Sequence, residues 1–161
     1  MASVDHDPYA RAPRMLVVED EPSIAALLAR ALRTIGEVDI ARDGHDALAL
    51  LACTVYDAWT LDLHMPALSG WEVLRRASVP GGPNERTPVL VVTADPTGWM
   101  ALDAGYAGSL YVLPKPIGIG ELIARVRHAI AQARATEAHP QEHALPPRPD
   151  RPRSARPPNG L

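Results

Sequence analysis

The sequence predicts an α/β fold in which five parallel strands form one doubly wound sheet with helices on both faces. Two observations support this fold class. Five short apolar runs of strand length alternate with stretches of helical periodicity, and the connections between them are short. In addition, four of the five runs end on a charged or hydroxyl side chain, and functional groups of parallel sheets lie at the carboxyl ends of the strands.

The first half of the chain reads as strand, helix, strand, helix, strand. The run at 15–18 is continuously apolar and ends in an acidic turn, after which Pro22 suits the first position of a helix that Gly36 ends. Asp43 suits the N-cap of the second helix. The other predicted segments of this half are a strand at 38–41, a helix at 47–53 and a strand at 58–63.

The second half opens with a capping pattern. Ser69 and Glu72 are spaced so that each can satisfy a backbone donor at the start of a brief third helix. The other predicted segments are strands at 88–92 and 109–113, a Gly-interrupted helical stretch at 95–108 and a last helix from 119. We expect the stretch at 95–108 to form a short or mobile helix. The basic side of the last helix is interpreted as a solvated face or as a docking site for an acidic partner.

Composition places these elements in one domain at 14–135, between a flexible extension at 1–13 and a Pro- and Arg-rich tail at 136–161 that we expect to be disordered. The formal charge of −3 and the scattered arginines do not favour nucleic acid as a partner. We expect no signal peptide and no membrane-spanning segment. Cys53 is the single cysteine and lies in an apolar run, which indicates a reduced, buried thiol in a cytoplasmic protein.

Side chains that suit a magnesium site follow the predicted strands. Glu19 and Asp20 follow the first strand, Asp62 ends the third, Thr93 follows the fourth and Lys115 follows the fifth. Because parallel strands present their carboxyl ends at one edge, these groups should converge. Three carboxylates would repel one another unless a hard divalent cation, Mg²⁺ or Mn²⁺, lay among them. Such an ion keeps coordination positions free for a phosphoryl group.

Lys115 is the only lysine among the 16 Lys and Arg residues. A compact ammonium on a flexible stem suits a crowded site in which a charge must reach a phosphoryl oxygen. We interpret its position as functional, against the alternative that the one lysine falls there by chance. Thr93 can bind another phosphoryl oxygen through its hydroxyl group.

Four short motifs in order resemble the receiver domains of two-component response regulators. They are VEDEP at 18–22, LDLHMP at 61–66 followed by Gly70, VTA at 92–94 and PKP at 114–116. The likeness runs from about residue 15 to about residue 134 and implies a flavodoxin-like receiver fold. It also implies that Asp62 accepts a phosphoryl group from a sensor histidine kinase or a phosphotransfer protein.

The resemblance implies roles for the other site residues as well. The implied metal ligands are Asp20, Asp62 and the backbone carbonyl of His64, with Glu19 assisting mainly through water, while Thr93 and Lys115 would contact the phosphoryl group. In the family, the positions of His64 and Asp95 border the path of the water that hydrolyses the phosphoaspartate. We hypothesise that these two residues set the lifetime of the phosphoryl group; the alternative is that they are solvated loop residues.

Besides the irregular stretch at 95–108, the chain departs from the family in the fifth strand. Three residues before the lysine, where the family usually has an aromatic residue, stands Val112, and Tyr111 precedes it. Neighbouring residues of a strand point to opposite faces, so Tyr111 can take the aromatic position only if the strand is bulged. The usual coupling between Thr and this aromatic residue therefore requires a bulge in the fifth strand of this chain.

The sequence thus predicts a single-domain response regulator, not an enzyme, without an output domain. It would signal to a downstream protein partner by phosphorylation-dependent binding, or by phosphorelay. One alternative is a docking module with a receiver fold that acts independently of phosphorylation. A phosphatase of the haloacid dehalogenase type is disfavoured, because those enzymes have a second Asp where this chain has His64. Whether the phosphorylated form dimerises is left open by the sequence.

Overall fold

Five parallel strands form the centre of the protein, as predicted. The computed structural model describes residues 11–95 and 106–138. The strands are β1 (Arg14–Val18), β2 (Glu37–Ala41), β3 (Ala58–Leu61), β4 (Val89–Thr93) and β5 (Leu110–Pro114). They form one sheet in the order β2-β1-β3-β4-β5, and every neighbouring pair is parallel. This order confirms the doubly wound α/β fold.

Helices cover both faces of the sheet. Within the described residues they are α1 (Pro22–Leu32), α2 (Gly44–Cys53), α3 (Gly70–Ala77) and α4 (Ile119–Ala138). α4 continues through Ala138, so residues 136–138, which the prediction assigned to the tail, are helical. The stretch at 96–105, the extension at 1–10 and the tail from 139 lie outside the described residues, and the predictions made for them stay predictions. No helix in the described parts of the chain is long and apolar enough to cross a membrane.

Side-chain caps start α2 and α3. The Asp43 carboxylate accepts the Asp46 backbone N–H at 2.8 Å, which confirms the predicted N-cap. At α3, the Ser69 hydroxyl accepts the Glu72 N–H at 3.4 Å. The reciprocal bond that the capping pattern predicted does not form, because the Glu72 carboxylate binds Arg75 and Arg76, each at 2.6 Å. Of the two predicted capping bonds, α3 therefore has only the one accepted by Ser69, and Glu72 in its first turn forms ion pairs instead.

Two apolar layers hold the helices on the sheet. α2 and α3 pack on one face and α1 and α4 on the other. Trp59 of β3 is fully buried under α2 and α3 and Trp71 of α3 is partly buried against the same layer, so both pack as predicted. Cys53, by contrast, is exposed, which makes the prediction of a buried thiol wrong. It lies two residues after the buried Leu51, and two residues turn an α-helix by about 200°, so its side chain faces solvent.

Thr60→Val should raise the free energy of unfolding by about 1 kcal/mol. Thr60 is 2% exposed, and its hydroxyl has no hydrogen-bond partner among the described residues. Val keeps the shape of the side chain and removes the desolvated hydroxyl. Urea unfolding followed by Trp fluorescence would measure the change. Thr87→Val is the matched control and should destabilise, because the buried Thr87 hydroxyl donates to the Tyr56 carbonyl at 3.2 Å. Equal shifts in the two variants would contradict this account.

The amino edge of the sheet is held by ion pairs around Asp57. The Asp57 carboxylate is nearly buried and lies 3.0 Å from Arg11 and 3.1 Å from Arg134 of α4. It also accepts the backbone N–H of Arg14 at 2.8 Å. Arg134 is therefore a structural residue, which the interpretation of the helix arginines as a solvated or docking face did not foresee.

Candidate functional site

Backbone hydrogen bonds at the carboxyl edge bring the predicted site residues together. The Asp62 N–H donates to the Val18 carbonyl at 3.0 Å, which places the end of β3 beside the end of β1. The Lys115 N–H donates to the Thr93 carbonyl at 2.8 Å, which joins the ends of β5 and β4 in the same way. The strand pairing therefore delivers all four strand ends to one edge, as expected for a parallel sheet.

Three carboxylates and the ammonium of Lys115 converge there. Glu19, Asp20 and Asp62 each offer an oxygen atom, and these atoms all lie within 4.8 Å of one another. Lys115 Nζ lies 3.0 Å from a Glu19 oxygen and 3.5 Å from an Asp62 oxygen. Glu19 is 1% exposed and Asp62 is 6% exposed, so most of this charge is shielded from solvent.

Burial and the ion pair between Glu19 and Lys115 act in opposite directions on the pKa values of these two residues. It raises the pKa of Glu19 above its ordinary value, and the charge of Asp62 adds to the rise, while the Lys115 hydrogen bond opposes it. Burial acts to lower the pKa of Lys115, but the hydrogen bond to Glu19 and the charge of Asp62 outweigh it, so that the pKa of Lys115 is raised. Lys115 is therefore an ammonium at neutral pH.

The donor set fits a hard divalent cation. All three candidate side chains offer carboxylate oxygens, the ligands that Mg²⁺ and Mn²⁺ favour. Two oxygens bound to one Mg²⁺ lie at most about 4.2 Å apart, twice the usual Mg–O distance. The oxygens of Glu19, Asp20 and Asp62 lie within 4.8 Å, so small side-chain shifts, or a water bridge to one of them, would complete the coordination.

Thr93, His64 and Asp95 lie at the same edge but face differently. Thr93 is buried, and its hydroxyl accepts the backbone N–H of Asp95 at 3.1 Å. Because the hydroxyl acts as acceptor in this bond, its own proton can still be donated to another group. The His64 backbone N–H donates to Asp62 Oδ1 at 3.1 Å, while the imidazole is exposed, as is Asp95. Asp62 is thus oriented by the backbone of the loop that follows it.

Ala67→Gly should raise the free energy of unfolding by about 1 kcal/mol. Ala67 lies in the loop between Asp62 and α3 with φ of 64°, a left-handed conformation in which a Cβ is strained and glycine is not. Thermal and urea unfolding would measure the gain. The same substitution in an ordinary helix should have the opposite sign, so Ala26→Gly in the exposed part of α1 is the control. Destabilisation by both variants would contradict the strain at Ala67.

A comparison with protein families identifies the family to which this chain belongs. The family model described as the response regulator receiver domain matches residues 15–127. The chain belongs to the response regulator receiver family. It is 42% identical over 118 residues to the transcriptional regulatory protein TcrA of Mycobacterium tuberculosis, covering 71% of this chain and 44% of that protein. It is 36% identical over 126 residues to the response regulator MprA of the same species, covering 78% and 54%. The receiver chain thus spans about half the length of these curated relatives.

Solved receiver structures agree with this assignment. The Francisella response regulator 1452 receiver domain is similar with a TM-score of 0.64 and 30% identity, over 74% of this chain and 98% of that one. The receiver domain of the sensor histidine kinase PA1611 from Pseudomonas aeruginosa has a TM-score of 0.65 and 26% identity, over 74% and 98%, and holds a magnesium ion in its active site cleft. Receiver domains bind Mg²⁺ at an acidic site and interact with histidine kinases or phosphotransfer proteins. This receiver is therefore part of a two-component signalling system.

Strand β5 of this receiver domain has no bulge at Val112, the position where the family usually has an aromatic residue. Tyr111 pairs with Leu90 and Val112 pairs with Val91, without a bulge. Tyr111 packs on the side of α1 and α4, where its ring meets His128 edge to face at 6.3 Å between centroids, whereas Val112 packs on the side of α2 and α3. Tyr111 therefore lies on the opposite face of the sheet from Val112.

Proposed function

We propose that this receiver accepts a phosphoryl group on Asp62 from the phosphohistidine of a sensor histidine kinase or phosphotransfer protein, in a reaction that depends on Mg²⁺ or Mn²⁺. The observation that carries the proposal is the position of Asp62 itself. Its carboxylate shares an acidic cluster with Glu19 and Asp20 and lies 3.5 Å from Lys115 Nζ. Such an arrangement can hold a cation and bind phosphoryl oxygens at the same time.

Asp62 would be the nucleophile. One of its carboxylate oxygens forms the O–P bond while the N–P bond of the donor breaks, and the electron pair of that bond stays on the imidazole nitrogen. Lys115 Nζ, already directed at the cluster, donates a hydrogen bond to a phosphoryl oxygen, and the Thr93 hydroxyl, which can keep the Asp95 N–H bond, donates another through its own proton. The product is an aspartyl phosphate held by these two donors.

The proposed ion site uses the groups that surround the nucleophile. Asp20, Asp62 and the backbone carbonyl of His64 would hold the ion, and the buried Glu19 would act mainly through water and through its bond to Lys115. When bound, Mg²⁺ supplies positive charge that offsets the charge of the carboxylates and of the transferring group. The excess of acid over base in the cluster supports this assignment.

The test is phosphorylation of the full chain with acetyl phosphate and Mg²⁺, read by intact mass. The parent should gain one phosphoryl group, and Asp62→Asn and metal-free parent should gain none. Asp57→Asn is the matched control, since Asp57 is a nearly buried carboxylate that precedes β3, whereas Asp62 follows it. An unmodified parent, or an equal adduct on Asp62→Asn, would overturn the proposal.

The donor protein would contact an apolar groove beside the site. The groove has a volume of about 340 Å³, and Lys115 lines it together with apolar side chains of α1, β4 and the loop after β5. Leu27 of α1 lies in it and is 52% exposed. A phosphohistidine that reaches Asp62 must pass this edge, so burial of Leu27 by the donor would stabilise the encounter.

Leu27→Glu should therefore slow phosphoryl transfer from a purified phosphohistidine protein about tenfold and leave the acetyl phosphate reaction unchanged. Acetyl phosphate is too small to need a docking surface, so its reaction reports the chemistry at Asp62 without the contribution of docking. Val79→Glu is the control, because Val79 is equally exposed but lies in the loop after α3. Equal rates for Leu27→Glu and Val79→Glu with the protein donor would reject the groove as the contact surface.

A second candidate function is docking that does not depend on phosphorylation. It is favoured by β5, because Val112 occupies the position where the family usually has an aromatic residue, and Tyr111 lies on the opposite face of the sheet. Hydrogen exchange of β4, β5 and α4 with and without beryllofluoride distinguishes the two functions. Changes confined to the site would support docking alone, and changes that spread along β5 would support a phosphorylation switch. Membership in the receiver family goes against the phosphatase alternative.

A further inference from the structure

The loop between Asp62 and α3 is packed against the first residue of α2. Leu68 of this loop is buried, and Gly44, the first residue of α2, is buried as well. A Cβ atom built on Gly44 would lie 2.8 Å from the Cβ and 2.8 Å from the carbonyl oxygen of Leu68. Separations below 3.0 Å essentially never occur for real Cβ atoms, so only glycine allows the loop to approach α2 this closely.

The segment that leads into α2 also contacts Glu19, a member of the acidic cluster that lies on the opposite side from the Asp62 loop. The carbonyl of Ala41, at the end of β2, accepts the backbone N–H of Glu19 at 3.1 Å. Three residues later Gly44 meets Leu68, and the Asp43 cap fixes the start of α2 between these two contacts. The segment 41–44 therefore contacts Glu19 on one side and the loop that follows Asp62 on the other.

The loop transmits its position to the phosphoacceptor by short links. Its far end is fixed by the Gly70 N–H, which donates to the Leu63 carbonyl at 3.1 Å. Its near end holds the carboxylate, because the His64 N–H donates to Asp62 Oδ1. A Cβ on Gly44 would force Leu68 or the start of α2 to shift, and a shift of Leu68 would act on both links.

We infer that Gly44 and Leu68 are positioning residues, whose contact sets the spacing between the Glu19–Asp20 and Asp62 halves of the cation site. This inference rests on the proposed function and adds to it a role for the start of α2, a helix that supplies none of the proposed ligands. Outer residues that orient metal ligands typically change metal affinity about tenfold or more when altered.

The experiment compares Gly44→Ala, Leu68→Ala and Gly36→Ala in the full chain. Gly36 is the control, because a Cβ there would lie 2.1 Å from the Pro13 carbonyl oxygen at the opposite edge of the sheet, which destabilises the fold without touching the site. Two quantities are measured at a temperature at which circular dichroism shows every variant folded. These are hydrogen exchange of the His64 and Gly70 amides without metal, and the Mg²⁺ dissociation constant by calorimetry.

Gly44→Ala and Leu68→Ala should accelerate exchange of both loop amides and weaken Mg²⁺ binding about tenfold, while Gly36→Ala should leave both quantities within about twofold of the parent. Unchanged exchange in Gly44→Ala would overturn the positioning role, and so would faster exchange with parental Mg²⁺ affinity. Weakening by Gly36→Ala equal to that by Gly44→Ala would also overturn it, since stability alone would then explain the loss. A parent that binds no Mg²⁺ contradicts the proposed function instead, and the exchange data then decide the loop contact independently.

Discussion

Gly70→Ala should lower the free energy of unfolding by about 3 kcal/mol and abolish phosphoryl acceptance at Asp62. A Cβ atom on Gly70 would lie 2.3 Å from the carbonyl oxygen of Asp62 and 2.7 Å from the Cα of Leu63. Both neighbours are backbone atoms, so no rotation of a side chain can relieve the clash. Either α3 or the loop must move, and the Asp62 carboxylate is attached to the residue that is pushed.

Urea unfolding and acetyl phosphate labelling measure the two effects separately. Labelling is compared at a temperature at which both proteins are folded, so that loss of the adduct reports the geometry of the site. Gly118→Ala is the control, because a Cβ there has no neighbour within 4 Å among the described residues and Gly118 lies only three residues after Lys115. Parental stability and labelling in Gly70→Ala would refute the close approach of α3 to the backbone of Asp62.

The strands and the site edge could be predicted because their signals are local. A strand buried on both faces is apolar throughout, so the runs before Glu19 and Asp62 stood out, and a parallel sheet brings such ends to one edge. The clustering of Glu19, Asp20, Asp62 and Lys115 followed from that rule alone.

Features that depend on distant contacts could not be predicted in this way. The sequence could not predict that Lys115 lies closer to Glu19 than to Asp62, because side-chain packing between the ends of β1, β3 and β5 decides these distances. The bond from the Asp95 N–H to the Thr93 hydroxyl was not predicted either, and the contact of Thr93 with a phosphoryl group stays a prediction. Cys53 was placed inside because its neighbours are apolar; its angle around α2, relative to Leu51, was the signal that would have placed it outside.

Asn84 is the clearest case of a residue hidden from sequence reasoning. It lies in a Gly- and Pro-rich loop, and such loops are usually exposed. In the structure it is buried, and its amide group donates to the carbonyls of Leu51 and Thr54, each at 2.7 Å, and accepts the Tyr56 N–H at 2.9 Å. Its side chain joins the loop before β4 to the end of α2 and to the start of β3, replacing backbone bonds that none of these segments can make alone.

Asn84→Ala should therefore lower the free energy of unfolding by about 4 kcal/mol, because one backbone N–H and two carbonyl oxygens lose their partner. Urea unfolding followed by the buried Trp59 measures the loss. Asn84→Asp should not restore stability, since it keeps the acceptor for Tyr56 but turns a carboxylate oxygen toward the carbonyls of Leu51 and Thr54. A loss below about 1 kcal/mol in Asn84→Ala would contradict the importance of these bonds.

The same variant separates stability from site geometry. Asn84 lies at the amino edge of the sheet, where β3 and β4 begin, whereas Asp62 lies at the carboxyl edge. Folded Asn84→Ala should accordingly bind Mg²⁺ with parental affinity, in contrast to Gly70→Ala, although the two variants lose comparable stability. If both variants lost Mg²⁺ binding in proportion to their stability, the site would depend on the rigidity of the whole domain and not on the local support of the Asp62 loop.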